Sequence, residues 1–188
     1  MSLRIGHVGI EKECVNEIIT SQEFAKRFEY LFSQESPVYK KKLVAGVDYM
    51  HPMSGITNKL RAFHEFLMDN REKSKEIVFV QYIVPIKGAD GGLLVDNPMF
   101  KKLRRELDEL NEKINLEFGP DILFVHFKGP SKAERCALWA RADILFITCL
   151  RDGLCLVINF INLFLVTSGI SRSKVIHWKT RECFSNHK

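Results

Sequence analysis

Arg151, Asp152 and Gly153 stand together directly before an apolar run that carries no charge until Arg172. If a strand ends at this R-D-G and a helix follows, the unpaired backbone N–H groups near Gly153, Leu154, Cys155 and Leu156 would point outward, where a phosphate can accept them. Glycine lets the backbone come close to a ligand. Asp152 could accept from a sugar hydroxyl, and Arg151 could pair with a phosphate or with a neighbouring carboxylate. The same tripeptide also serves in plain surface turns, so spacing alone leaves both readings open.

The other chemistry-bearing residues are more scattered. His51, His64, His126 and His177 form no H-x-x-x-H pair and have no adjacent carboxylate set, so no metal site is expected. Cys14, Cys136, Cys149, Cys155 and Cys183 are odd in number, without C-x-x-C spacing, which suits reduced thiols in a cytoplasmic protein. Ser131 reads as a helix cap rather than a nucleophile. His126 and Phe127 end an apolar run at a place where a strand would open onto a ligand crevice.

Placing these residues requires elements, and the apolar periodicity changes repeatedly between strand-like and helix-like. "RIGHVGI" reads as a short strand and is followed by an amphipathic helix from about Glu13 to Phe32, with Val15, Ile18, Ile19, Phe24, Phe28 and Leu31 on one side. "KLVAGVDY" (42–49) is a β-rich apolar run, "DILFVHF" (121–127) and "DILFITCL" (143–150) read as strands, and "EIVFVQYIV" (76–84) is a strand of the kind buried on both faces. Helices are expected between them. The first carries Ile56, Leu60, Phe63 and Leu67, the second runs from about Met99 to Phe118 and ends at Gly119-Pro120, and the third opens at Ser131. The loop "PIKGADGGLLVDNP" is glycine-rich but lacks the G-x-G-x-x-G order. The alternation implies an α/β fold: a Rossmann-like parallel sheet, right-handed crossovers, and helices on both faces. Ligands of such sheets bind beyond the carboxyl ends of the strands, where Arg151-Asp152-Gly153 would lie.

Bulk composition narrows the classes. The 188 residues allow one principal core, and 46% hydrophobic with 27% charged residues excludes a disordered chain. A net charge of +5, spread among acids, gives no nucleic-acid footprint. The stretch Gly153 to Ser171 contains Asn159, Asn162, Thr167, Ser168 and Gly169 and makes a poor membrane span. A cytoplasmic location, with neither nucleic acid nor membrane as partner, is the expectation.

Four blocks in order, "GVDYMHPMSGITNKLRAFHEFL" (46–67), "EIVFVQYIVP" (76–85), "INLEFG" (114–119) and "RADILFITCLRDGLCLV" (141–157), resemble the donor-binding half of trehalose-6-phosphate synthases, glycosyltransferase family 20, and most closely the plant-type class II members. The resemblance implies most of the C-terminal domain of a GT-B glycosyltransferase over residues 1–157, with a divergent tail at 158–188. It implies a retaining glucosyl transfer from UDP-glucose to glucose 6-phosphate, with no catalytic metal and no cofactor beyond that substrate. Asp152 matches the acid on the donor glucose, Gly153 to Leu156 match the backbone cradle, Arg151 stands beside them, and His126 and Phe127 lie in the region that flanks the uracil.

Several departures qualify what the resemblance implies. Where active synthases carry an arginine this chain is read as having Gly46, and Ser54 precedes Gly55 where the family has lysine. The family's M-N after R-D-G is Leu154-Cys155, and Phe160 stands where the ribose-binding glutamate belongs. After Val157 the resemblance stops, which reads as a truncated gene product or an unspliced tail. The expectation is therefore a synthase-like donor domain, inactive alone and without a catalytic residue of its own. The alternative is a regulatory or interaction module that keeps a degenerate UDP-sugar crevice and meets a full-length synthase or a second copy of itself.

Overall fold

The computed structural model describes residues 12–88, 92–93 and 97–148, and the backbone of 174–177. Five parallel strands form one sheet: β1 (Lys42–Tyr49), β2 (Ile77–Val84), β3 (Leu123–His126), β4 (Ile144–Ile147) and β5 (Lys174–His177), in the spatial order β3-β2-β1-β4-β5. The order reverses between β1 and β4, the topological switch point where doubly wound sheets open a crevice.

Strand alternation splits the side chains between two faces. Val44, Ile77, Phe79, Ile83, Leu123 and Ile144 face α3 (Ile56–Asp69) and α4 (Pro98–Phe118), and pack with Leu60, Phe63, Leu67, Phe100, Leu107 and Ile114. Leu43, Ala45, Val78, Val80, Leu145 and Ile147 face the opposite way, against Leu138 and Trp139 of α5 (Lys132–Arg141). The crossover from β3 to β4 must pass back over β2 and β1, so right-handedness sends α5 to the face opposite α3 and α4.

The expected single helix from Glu13 to Phe32 is two, α1 (Lys12–Ile19) and α2 (Gln22–Phe32). Thr20 and Ser21 break it. The Thr20 hydroxyl donates back to the carbonyl of Asn16, and Ser21 Oγ accepts from the Phe24 N–H at 3.2 Å, capping a new helix. The apolar stripe survives the break: Val15 and Phe24 are buried with Ala133, Cys136 and Ala137 of α5, and Ile18, Ile19, Phe28 and Leu31 pack around them.

Local rules explain the other boundaries. Ser131 and Glu134 form a full capping box at the start of α5, as the cap reading expects. Gly119 ends α4 at φ 118°, a conformation that disfavours side chains. Asn115 then takes both backbone groups of Leu123, its Oδ1 accepting from the N–H at 3.1 Å and its Nδ2 donating to the carbonyl at 2.9 Å, which docks the start of β3 on α4. Asp143 does the same for β1, accepting from the Leu43 N–H at 2.9 Å.

The first strand expected at "RIGHVGI" lies outside the described residues. So does the turn at Arg151, Asp152 and Gly153 with Leu154, Cys155 and Leu156. Within the tail set aside as divergent, Lys174–His177 pairs with β4 as a fifth strand, which the sequence reading did not anticipate.

Candidate functional site

The site sits at the carboxyl ends of β1 and β4. β1 finishes at Tyr49, which is 63% exposed, and the chain turns through His51 and a 3₁₀ turn (Pro52–Ser54) into α3. His51 Nδ1 accepts the Met53 N–H at 3.1 Å, which gives this histidine a turn-forming role. Gly55 adopts the left-handed conformation, φ 69°, and α3 starts after it with no side-chain cap. The first-turn N–H groups of a helix lack intrahelical partners, so an uncapped start is an anion acceptor by construction. Thr148, the residue after β4, reaches across: its buried hydroxyl lies 3.3 Å from the carbonyl oxygens of both Ser54 and Gly55.

Beneath this loop lies a buried polar cluster. Lys59 is fully buried, and its Nζ donates to Asp48 Oδ2 at 2.5 Å. Gln81 Nε2 donates to the same oxygen at 2.9 Å and to its neighbour's carbonyl, that of Tyr82, at 2.8 Å. The Gln81 Oε1 atom is buried without a hydrogen-bond partner and points at Gly46. A Cβ on residue 46 would collide with that oxygen and lie 3.1 Å from Lys59 Nζ. Gly46 is therefore an interior position. In this chain the space beside residue 46, where the resemblance puts the family arginine, is filled by the Gln81 and Lys59 side chains, and Tyr49 is the exposed position at the end of β1.

The paired candidates His126 and Phe127 are separated by strand alternation. His126 faces α5 and stacks on Tyr82, the ring centroids 4.8 Å apart, beside a cavity of about 370 Å³ that Arg27, Lys128 and Glu134 also line. Burial, helped by the charge of Lys128, holds the His126 imidazole below the usual histidine pKa, so it is neutral near pH 7. Burial likewise raises the Tyr82 phenol. Phe127 faces α4, where the Arg104 guanidinium lies 3.3 Å from its ring centroid and lines, with Lys101 and Arg105, a second cavity of about 390 Å³. These two residues do not form one binding surface.

Sequence reasoning missed Tyr49, Lys59, Gln81 and Thr148. Polar residues at strand positions due for burial were the available signal: Asp48 and Gln81 fall on the face that also carries Val44 and Phe79, and a buried carboxylate requires a partner. His64, on α3, takes a carboxylate partner on α4. It bonds Glu117 Oε2 at 2.8 Å, and Arg71 bonds the other oxygen of that carboxylate at 2.9 Å.

A parallel sheet of order β3-β2-β1-β4-β5 with helices on both faces defines a doubly wound, Rossmann-like α/β domain. The model of glycosyltransferase family 20 matches residues 1–162, and the chain belongs to that family. A probable UDP-forming α,α-trehalose-phosphate synthase 3 of Arabidopsis thaliana is 35% identical over 120 residues, 62% of this chain and 14% of that protein. The UDP-forming α,α-trehalose-phosphate synthase 1 of Aspergillus fumigatus is 31% identical over 153 residues, 80% of this chain and 28% of that protein. The chain thus spans under a third of these relatives. Among solved structures, a UDP-forming α,α-trehalose-phosphate synthase from Burkholderia xenovorans in complex with glucose-6-phosphate superposes with TM-score 0.70 at 21% identity, over 84% of this chain and 33% of that one. The N-terminal domain of Candida albicans trehalose-6-phosphate phosphatase superposes with TM-score 0.70 at 22% identity, over 86% and 34%. The fold is that of a GT-B trehalose-phosphate synthase domain.

Proposed function

We propose that this chain is a synthase-like donor domain that binds UDP-glucose weakly and does not transfer glucose by itself. The observation that carries the reading is the uncapped start of α3 at the switch point, in a chain of this family. Its N–H groups would meet the diphosphate from one side, while Gly153, Leu154, Cys155 and Leu156 would meet it from the other, with Asp152 on the glucose and Arg151 nearby. No resident cofactor or metal enters this reading.

Weakness follows from the loop. Residues 46–55 contain no lysine or arginine, and Ser54 is buried. At about 1.5 to 3 kcal/mol for each charge-assisted contact, two missing cations cost about 3 to 6 kcal/mol. That is on the order of 10² to 10⁴ in affinity or rate. A calorimetric titration with UDP-glucose, beside an assay of glucosyl transfer to glucose 6-phosphate, tests both halves of the reading.

The second reading is a regulatory or interaction module with a residual UDP-sugar crevice, working in the cytoplasm with a full-length synthase or a second copy of itself. The absent cations favour it, and so does the likeness to a domain of a protein named a phosphatase. Co-purification with a complete synthase, together with ligand binding that produces no turnover, would support it. No helix among the described residues is long and apolar enough to cross a membrane.

A further inference from the structure

We infer that Thr148 is a positioning residue: its hydroxyl joins the end of β4 to the β1–α3 loop and thereby sets the direction of the uncapped helix start. The inference rests on the donor-site reading for its purpose, although the tie itself is independent of any ligand.

The hydroxyl is buried and lies 3.3 Å from two consecutive carbonyl oxygens, those of Ser54 and Gly55. One O–H proton shared between adjacent carbonyls restrains the two peptide planes that meet at Gly55 relative to each other. Gly55 is the left-handed residue on which the chain turns into α3, and its carbonyl also accepts the Lys59 N–H at 3.0 Å. Rotation about Gly55 is inexpensive for a glycine, so the direction of the helix start depends on what holds this loop. Within the loop, the N–H groups of Ser54 and Gly55 donate to the carbonyls of His51 and Pro52. From outside it, Met50 N–H on the Val84 carbonyl holds the loop's first residue, and the Lys59–Asp48 pair holds the helix beyond it. Among the described residues, Thr148 is the side chain from outside the loop that bonds its middle.

The test is amide hydrogen exchange on the full chain, comparing wild type, Thr148→Val and Thr148→Ser. Valine keeps the shape and removes the donor, whereas serine keeps the donor. Exchange in peptides covering 53–59 should rise about tenfold in T148V, the ratio given by an opening free energy lower by about 1.4 kcal/mol, and should stay near wild type in T148S. Exchange in β2 should not change. Unchanged exchange at 53–59 in T148V, or an equal rise throughout the sheet, would overturn the inference; the second result would make Thr148 an ordinary core residue. UDP-glucose titration of the same proteins separates the two claims. Binding about tenfold weaker in T148V and restored in T148S supports the positioning role. No binding to wild type removes the donor-site reading, while the exchange comparison still decides the tie.

Discussion

Lys59 Nζ and Asp48 Oδ2 lie 2.5 Å apart with both side chains buried, joining the last turn of β1 to the first turns of α3. The pair is shielded from water, so its two members depend on each other in a way that exposed pairs do not.

Removing one member should be far worse than removing a surface charge. Lys59→Met leaves the Asp48 carboxylate buried with, among the described residues, only the Gln81 amide, and should destabilise the fold by about 3 to 5 kcal/mol. Asp108→Asn, which breaks its pair with Arg104 between half-exposed side chains on α4, should cost at most about 1 kcal/mol. Urea unfolding of the two variants beside wild type measures the contrast, and equal losses would mean that the Lys59–Asp48 pair is not a buried anchor.

Gly46 should accept a side chain only if the Gln81 amide gives way. An added methyl meets the Gln81 amide, whose carbon would lie 3.0 Å from it, so Gly46→Ala should cost about 1 to 3 kcal/mol through overpacking. Adding Gln81→Ala to Gly46→Ala clears that obstacle and should make the glycine substitution less costly than it is beside Gln81. A double-mutant cycle by thermal unfolding reads the coupling, and strict additivity would refute the contact.

Acid should weaken the junction of α3 and α4 through Glu117. Its hydrogen bond to His64, followed by the charges of His64 and Arg71, holds this carboxyl below the usual glutamate pKa. A lowered folded pKa gives stability that is present above the unfolded value and lost as pH falls through the folded one. The stability difference between wild type and Glu117→Gln should therefore shrink as pH drops below about 4. Denaturation measured at a series of acid pH values checks the direction; a difference that grows as pH falls below about 4 would contradict it.

Much of this architecture is written in local periodicity. The strand at 42–49 is found where the apolar run places it, and the helices starting near Ile56, Pro98 and Lys132 follow their caps and apolar spacing. The misses have physical causes. Ser21 stops one helix and starts another because its hydroxyl competes for backbone bonds, a choice that the uninterrupted apolar stripe conceals. β5 is four residues that gain their place by pairing with β4, a long-range event with no local signature. His126 and Phe127 are adjacent in sequence and look like one site, yet a strand sends neighbours to opposite faces. The Asp48–Lys59–Gln81 cluster was legible only as polar residues on a face that should be apolar, and the hydroxyl tie from Thr148 needs the sheet order before it can be imagined at all.

The central claim is that the crevice between β1 and β4 retains a nucleotide-sugar site too poor in cations to act alone. Calorimetric titration of UDP-glucose into the purified 188-residue chain tests it most directly. Saturable binding, weakened by the factor of about 10² to 10⁴ expected from two missing cations, is the predicted result. The absence of any binding heat, with no rise in melting temperature at saturating ligand, would contradict it.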